Sequence, residues 1–173
     1  KEEDEEKEYE QLLCAFFPTE DLKILYFNRV VEMVGDFSPA LFMAQISQLC
    51  DINILPRARK PLRKGEMTLF LDRTWFSLSW RPNVLEAWQK NYPVLDASLL
   101  NEKILRELLH IVDVRTDNRV KYVDGPSGLH GVITKVLKGE NRMAFLLYPV
   151  LMKDFIDVSD VGETLPPKST WFE

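Results

Sequence analysis

Two arginines four residues apart, with an aspartate between them, are the residues best suited to binding an anion. Arg115 and Arg119 flank Asp117 immediately before a predicted strand. A guanidinium presents a planar fork of N–H donors that can hold a phosphate or a carboxylate bidentately. The same pattern is typical of a solvated turn with a local Arg–Asp pair. Both interpretations stay open from the sequence.

A glycine-rich turn, residues 124–128, lies between that strand and a predicted helix. Gly125, Ser127 and Gly128 fall where free backbone N–H groups and the helix dipole favour an anion. The turn lacks the Gly-Lys-Ser/Thr ending of a P-loop. A short turn that needs glycines only for its backbone conformation explains the pattern as well.

Two further polar groups interrupt apolar or extended segments. Asn28 and Arg29 lie inside an apolar strand, where burial without a partner would be costly, unless Arg29 simply faces solvent. Lys168, Ser169 and Thr170 follow two prolines and offer an ammonium and two hydroxyls suited to phosphate oxygens. A frayed chain end is the alternative for this last group. These segments predict an anion site but no catalytic residue and no metal ligands.

Hydrophobic periodicity predicts an α+β fold: a mixed, largely antiparallel sheet with helices packed on it and a C-terminal β-α-β-α unit. Residues 13–162 are expected to form one domain, after an acidic helix or linker end (1–12) and before an extended, Pro-rich tail (163–173). The predicted strands are 13–17, 21–31, 52–55, 67–71, 75–80, 119–124 and 143–148. The predicted helices begin at Ser38-Pro39, at Asp96 or Ser98, at Leu129 with a left-handed cap at Gly139, and at Leu151 with an end at Gly162.

The charge distribution argues against nucleic acid as a partner. The first ten residues hold seven acids and two lysines, which is the whole formal net charge of −5, and the rest of the chain is neutral. The basic segment 57–64 has five bases and no interleaved aromatics, and it is interpreted as an exposed loop. No window is apolar enough to predict a membrane span. Cys14 and Cys50 both lie in apolar runs, which favours buried free thiols and a cytoplasmic location.

Five segments together resemble the C-terminal half of the bacterial and archaeal domain-of-unknown-function family number 1015. The ending Pro-Pro-Lys-Ser-Thr-Trp-Phe-Glu is the most specific of them, and the likeness extends over nearly the whole chain. The five segments are 22–31, 95–96 with the helix that follows, 115–120, 122–125 and 166–173.

The resemblance implies that this chain is a fragment whose N-terminal half is missing. That half is similar to the ParB and sulfiredoxin-like superfamily, some of whose members are nucleotide-dependent kinases for free serine. The implied function is the anion- or nucleotide-holding half of a small-molecule phosphotransferase, with a phosphorylated or carboxylated ligand and a nucleotide with Mg²⁺ as cofactor. A non-catalytic metabolite-binding or protein-interaction module is the alternative. The oligomeric state is not defined by the sequence.

Overall fold

A computed structural model describes residues 12–89, 93–139 and 142–173, so the acidic segment predicted at 1–12 lies almost wholly outside the described residues. The strands are β1 (Ile24–Tyr26), β2 (Asn28–Glu32), β3 (Cys50–Leu55), β4 (Glu66–Leu71), β5 (Thr74–Trp80), β6 (Val120–Val123), β7 (Arg142–Leu147) and β8 (Thr170–Phe172). The helices are α1 (Pro39–Leu49), α2 (Pro82–Gln89), α3 (Asp96–Leu99), which continues as a π-helix (Leu100–Arg106), α4 (Gly128–Leu137) and α5 (Met152–Asp160), with a 3₁₀ turn at Thr19–Asp21.

The fold is α+β, as the sequence predicts, and its centre is a six-stranded sheet in the order β3-β5-β4-β7-β2-β6. Every neighbouring pair in this sheet is antiparallel. Strands β6 and β7 flank β2 and therefore run in the same direction, with α4 connecting them. This is the predicted C-terminal β-α-β unit, opened by an inserted strand. Strands β1 and β8 form a separate two-stranded ribbon.

The β4–β5 hairpin confirms the clearest strand prediction. Leu71 pairs directly with Thr74, so the turn contains only Asp72 and Arg73. Their φ angles are 46° and 61°, and positive φ at both positions defines a type I′ turn, whose twist matches that of the flanking strands.

The sheet is covered on both faces. Helix α1 and the helix from Asp96 to Arg106 pack on one face, and α4 packs on the other. Successive side chains of β2 point to opposite faces of the sheet. Val31 therefore packs in the core under α1, and Val30 packs in the core under α4. Helix α1 begins as predicted: the Ser38 hydroxyl accepts a hydrogen bond from the Leu41 N–H (3.3 Å).

Ile46→Ala is expected to lower the free energy of unfolding by about 2–5 kcal/mol, because it leaves a cavity under the sheet. Ile46 is fully buried, whereas Ile54 on edge strand β3 is 74% exposed. The matched change Ile54→Ala should therefore shift stability by less than about 0.5 kcal/mol. Urea denaturation of both variants checks the expectation, and equal losses would contradict this assignment of the core.

Two N-terminal predictions are wrong. Residues 13–17 form no strand and Cys14 is exposed, because no described strand pairs with this apolar segment; only Cys50 is buried. The predicted strand 21–31 divides at Phe27, so that β1 pairs with β8 while β2 enters the central sheet.

Two helix-end predictions are also corrected. The helix after Leu95 has no side-chain cap: Asp96 is buried in its first turn, and the helix is π-helical from Leu100 onward. Gly139 is not left-handed, so the predicted left-handed cap is wrong; a Cβ there would meet only the movable guanidinium end of Arg142. The predicted stop at Gly162 is confirmed, with φ of 70°.

Candidate anion-binding site

The register of β2 divides the predicted site residues between two ends of the sheet. Asn28 begins β2 and pairs with Val123, the residue before the glycine turn. At the other end, the Glu32 N–H donates to the Arg119 carbonyl (2.9 Å). At roughly 3.3 Å per residue, β2 separates these positions by about 13 Å. We call the first end the Asn28 end.

Arg119 lies at the far end, where its donors are engaged locally. Its guanidinium donates to the Asp117 carboxylate (2.6 and 3.0 Å) and to the carbonyls of Leu109 and His110 (3.2 Å each). These carbonyls follow the π-helix and would otherwise lack partners. Hydrogen bonds from Arg119 also lower the pKa of Asp117.

Arg115 lies near Arg119 and forms the same kind of local pair. Its Nε and Nη2 donate to the Asp113 carboxylate at 3.0 and 3.1 Å, and both side chains are exposed. These hydrogen bonds lower the pKa of Asp113. Anion binding by Arg115, Asp117 and Arg119 stays a prediction, and it would require breaking these bonds.

Arg119→Ala is expected to cost about 1–2 kcal/mol of stability, because two carbonyls lose their donors. Arg115→Ala should cost less than about 0.5 kcal/mol, since its pair is exposed and touches no helix end. The Tm values of the two variants measure this difference, because each arginine pairs with a nearby aspartate and only Arg119 also binds the two carbonyls. Equal costs would show that the bonds to Leu109 and His110 contribute nothing.

The glycine turn lies at the Asn28 end and is largely satisfied by its own chain. The Asp124 carboxylate accepts a hydrogen bond from the Ser127 N–H (3.0 Å), and the Gly128 N–H donates to the Gly125 carbonyl (3.0 Å). A Cβ on Gly125 would collide with the side chain of Leu25, and Gly128 has a φ of 55°. The glycines therefore meet packing and backbone needs, and no anion is required to explain them.

Asn28 and Arg29 are both fully buried at this end. Asn28 Oδ1 accepts a hydrogen bond from the Leu147 N–H (3.2 Å), while its Nδ2 has no acceptor among the described residues. The Arg29 guanidinium donates Nη1 to the Phe27 carbonyl (2.9 Å) and lies 5.5 Å from the Tyr122 ring centroid. Its Nε and Nη2 have no acceptor in the described chain. Burial lowers the pKa of Arg29 to about 10.

The predicted C-terminal group is brought to the same end by β8. Thr170 pairs with Tyr26, and Ser169 is buried. The Lys168 ammonium lies 5.9 Å from the centroid of the Phe27 ring, which also meets Trp171 edge-on at 6.1 Å. This part of the tail is therefore paired with β1, and the frayed-end alternative does not apply.

The basic loop 57–64 contributes a lysine that the sequence did not single out. The Lys60 ammonium lies 4.9 Å from the centroid of the Tyr26 ring. We call Tyr26–Phe27, where β1 passes into β2, the junction; one ammonium lies against each of its rings. Among the described residues, neither Lys60 nor Lys168 forms an ion pair. Nothing in the sequence of the loop indicates that Lys60 contacts Tyr26.

A second polar cluster, also missed, surrounds Asp96. Its Oδ2 accepts from the Gly65 N–H (3.0 Å), and the buried indole N–H of Trp80 also stabilises the charged form of the carboxyl. Burial raises the pKa of Asp96 to about 6, against the opposing effects of the Gly65 N–H and the Lys64 ammonium. Lys64 forms an ion pair with Asp154 (2.5 Å). A cavity of about 10 Å³ lies between these side chains and Ser169, roughly the space for one water.

The described residues contain no cluster of side chains that could hold a metal ion by itself. Among them, no three histidine, cysteine or acidic side chains are grouped to hold a metal ion. Both Asp154 oxygens are occupied, one by Lys64 and the other by the Leu151 N–H (3.2 Å), and the Asp96 carboxyl interacts with the Gly65 N–H and Trp80. Magnesium is therefore not assigned to this chain. None of the described helices is long and apolar enough to cross a membrane.

Residues 1–106 match the family described as Protein of unknown function (DUF1015), and the chain belongs to that family. Its fold is similar to that of a free serine kinase mutant in complex with AMP (TM-score 0.52, 15% identity). It is also similar to a free serine kinase in complex with AMP (TM-score 0.50, 16% identity). Each comparison covers 90% of this chain and 55% of the other.

A conserved hypothetical protein from Pyrococcus furiosus has the same fold (TM-score 0.50, 16% identity), covering 89% of this chain and 57% of that one. The chain thus spans little more than half the length of the solved structures it matches. At these identities the likeness shows the fold alone. No curated protein matches the sequence.

Proposed function

We propose that this chain is the anion-holding part of a cytosolic, nucleotide-using phosphotransferase for a small molecule, with free serine as the first substrate to test. The observation that carries the proposal is uncompensated positive charge at the junction. Lys60 and Lys168 lie against its two aromatic rings, and Arg29, two residues after Phe27, is fully buried. In the described chain none of these three cations has a carboxylate partner.

A bound phosphate would offset the positive charge that Lys60, Lys168 and Arg29 bring to this part of the chain. The ammonium groups of Lys60 and Lys168 belong to exposed residues and can reach a ligand. Arg29 is completely covered, so its contribution is a positive potential from beneath, strengthened by the low dielectric around it. Its bond to the Phe27 carbonyl also holds the junction in shape.

The nucleotide and the substrate class are supported by analogy with the solved structures. Two of the similar chains are free serine kinases in complex with AMP. Phosphoryl transfer depends mainly on positioning and on neutralising phosphate charge, which is what the junction residues are suited to do. A catalytic base and a metal site are expected in the half of the protein that this chain lacks, and that half is its expected partner.

The test is formation of phosphoserine by the complete protein from serine and ATP or ADP, followed by ³¹P NMR. Lys168→Ala is expected to weaken nucleotide binding about tenfold or more, since it removes a direct phosphate contact worth about 1.4 kcal/mol. Lys138→Ala, an exposed lysine after α4 at the far end of the sheet, should leave binding unchanged.

Equal effects of the two variants would overturn the proposed site. Nucleotide binding without phosphoserine formation would overturn the serine kinase assignment and favour a non-catalytic metabolite-binding module.

A further inference from the structure

The β1–β8 ribbon is a short sheet with no third strand among the described residues. Its strands have three residues each, extended by paired backbone bonds between Lys23 and Glu173 (3.0 Å each). One face packs on the rest of the chain, through Ile24 on the cluster around Val158 and through Phe172 on Phe155, but both outer edges present unpaired peptide groups. Its residues Trp171 and Phe172 are 40% and 45% exposed. Among the described residues, the two edges of the ribbon are therefore open to a further strand.

Residues 12–17, which we call the apolar arm, reach the ribbon through the 3₁₀ turn. Its large side chains, Leu12, Leu13, Phe16 and Phe17, are between 65% and 98% exposed. No backbone hydrogen bond joins the arm to any other described residue. Four large apolar side chains within six residues are exposed to water, and the backbone that carries them can still pair with another strand. Such a segment is typical of an interaction surface.

The sequence of the arm favours an extended partner. Its composition is typical of a β-strand. Among the described residues, however, no strand pairs with it. Addition to a sheet edge would satisfy its peptide groups and bury alternate side chains together.

We propose that the apolar arm and the ribbon dock the half of the protein that the similar solved structures contain and this chain does not. Those structures are nearly twice as long, since the chain covers 55–57% of them. The occupant is a strand-bearing, apolar surface of that half. This docking rests on the proposed function only in that the junction is taken to bind an anion.

Docking at the ribbon would place the second half beside the junction. Thr170 in β8 pairs with Tyr26, and Trp171 contacts Phe27 edge-on. Lys168 precedes β8 by two residues, and its ammonium lies against the same Phe27 ring. The second half would then form the other wall of the anion site, so that the site is complete only in the whole protein.

Hydrogen–deuterium exchange of the complete protein without ligand tests the docking directly. The amides of residues 13–17 are expected to exchange at least a hundredfold more slowly than in the 173-residue chain. Exchange at the rate of an unstructured peptide in the complete protein would overturn the proposal. Slow, concentration-dependent exchange in the 173-residue chain would also overturn it, because the occupant would then be a second copy.

Phe16→Asp supplies an independent readout. It is expected to lower the Tm of the complete protein by about 5 °C or more while leaving the 173-residue chain within about 1 °C. Val112→Asp, at a residue 76% exposed and outside the arm, should change neither. Equal, small shifts for Phe16→Asp in both proteins would contradict docking.

These measurements use no nucleotide, so failure of the phosphotransferase assignment would leave their outcome unaffected. If Phe16→Asp prevents folding of the complete protein, the exchange rates of the unsubstituted protein still decide the matter.

Discussion

Arg29→Met is expected to make the ligand-free protein more stable and its anion binding weaker. Burial lowers the pKa of Arg29 to about 10, so it disfavours the charged form of the side chain by about 3 kcal/mol. Methionine fills a similar volume without that charge. The losses are one hydrogen bond to the Phe27 carbonyl, about 1 kcal/mol, and the contact with Tyr122, about 0.5–1 kcal/mol. A net gain of about 1 kcal/mol follows.

Affinity for a nucleotide should fall about tenfold or more, because the positive potential under the junction is lost and the Phe27 carbonyl is no longer held. Urea denaturation and calorimetric titration of the same variant give both numbers. Arg115→Met, at an exposed arginine on the far end, is the matched control and should change neither. A destabilised Arg29→Met with unchanged affinity would mean that the arginine serves only the fold.

Asp96→Asn is expected to stabilise the protein above pH 6 and to leave it unchanged below pH 4. Burial raises the pKa of Asp96 from 3.8 to about 6, so the folded state holds the proton more tightly than the unfolded chain. The resulting stability is fully present below pH 3.8 and is lost as pH rises through 6. A shift of about two units corresponds to about 3 kcal/mol as an upper bound.

Asparagine retains an oxygen to accept the Gly65 N–H, and it cannot ionise. Unfolding free energies measured from pH 4 to pH 8 should therefore lose the part of the slope that Asp96 contributes. Asp36→Asn, at an exposed residue outside the cluster, should preserve the slope. If Asp96→Asn also preserves it, the buried Asp96 carboxyl does not titrate in this range.

Local patterns predicted the elements whose stability is local. The strands predicted at 67–71 and 75–80, the helix start at Ser38-Pro39 and the helix predicted from Leu129 depend on neighbouring residues, and all are present in the structure. The 13–17 strand failed because a strand needs a partner, and no described strand supplies one.

The candidate site was only partly accessible to sequence reasoning. The sequence indicated Asn28, Arg29 and Lys168, but only the register of β2 and the β1–β8 pairing bring them to one end and leave Arg119 at the other. Lys60 could not be identified, because its contact with Tyr26 depends on how a loop folds back. The sequence suggested Asp96 as a helix cap. Its burial could not be predicted, because burial of a carboxylate depends on tertiary packing.

Titration of AMP into the complete protein at increasing salt tests the central claim, that the junction is an anion site. We expect saturable binding whose Kd rises steeply between about 50 and 500 mM salt, because the phosphate would be held by exposed lysines. Absence of binding, or binding that salt does not weaken, would contradict it.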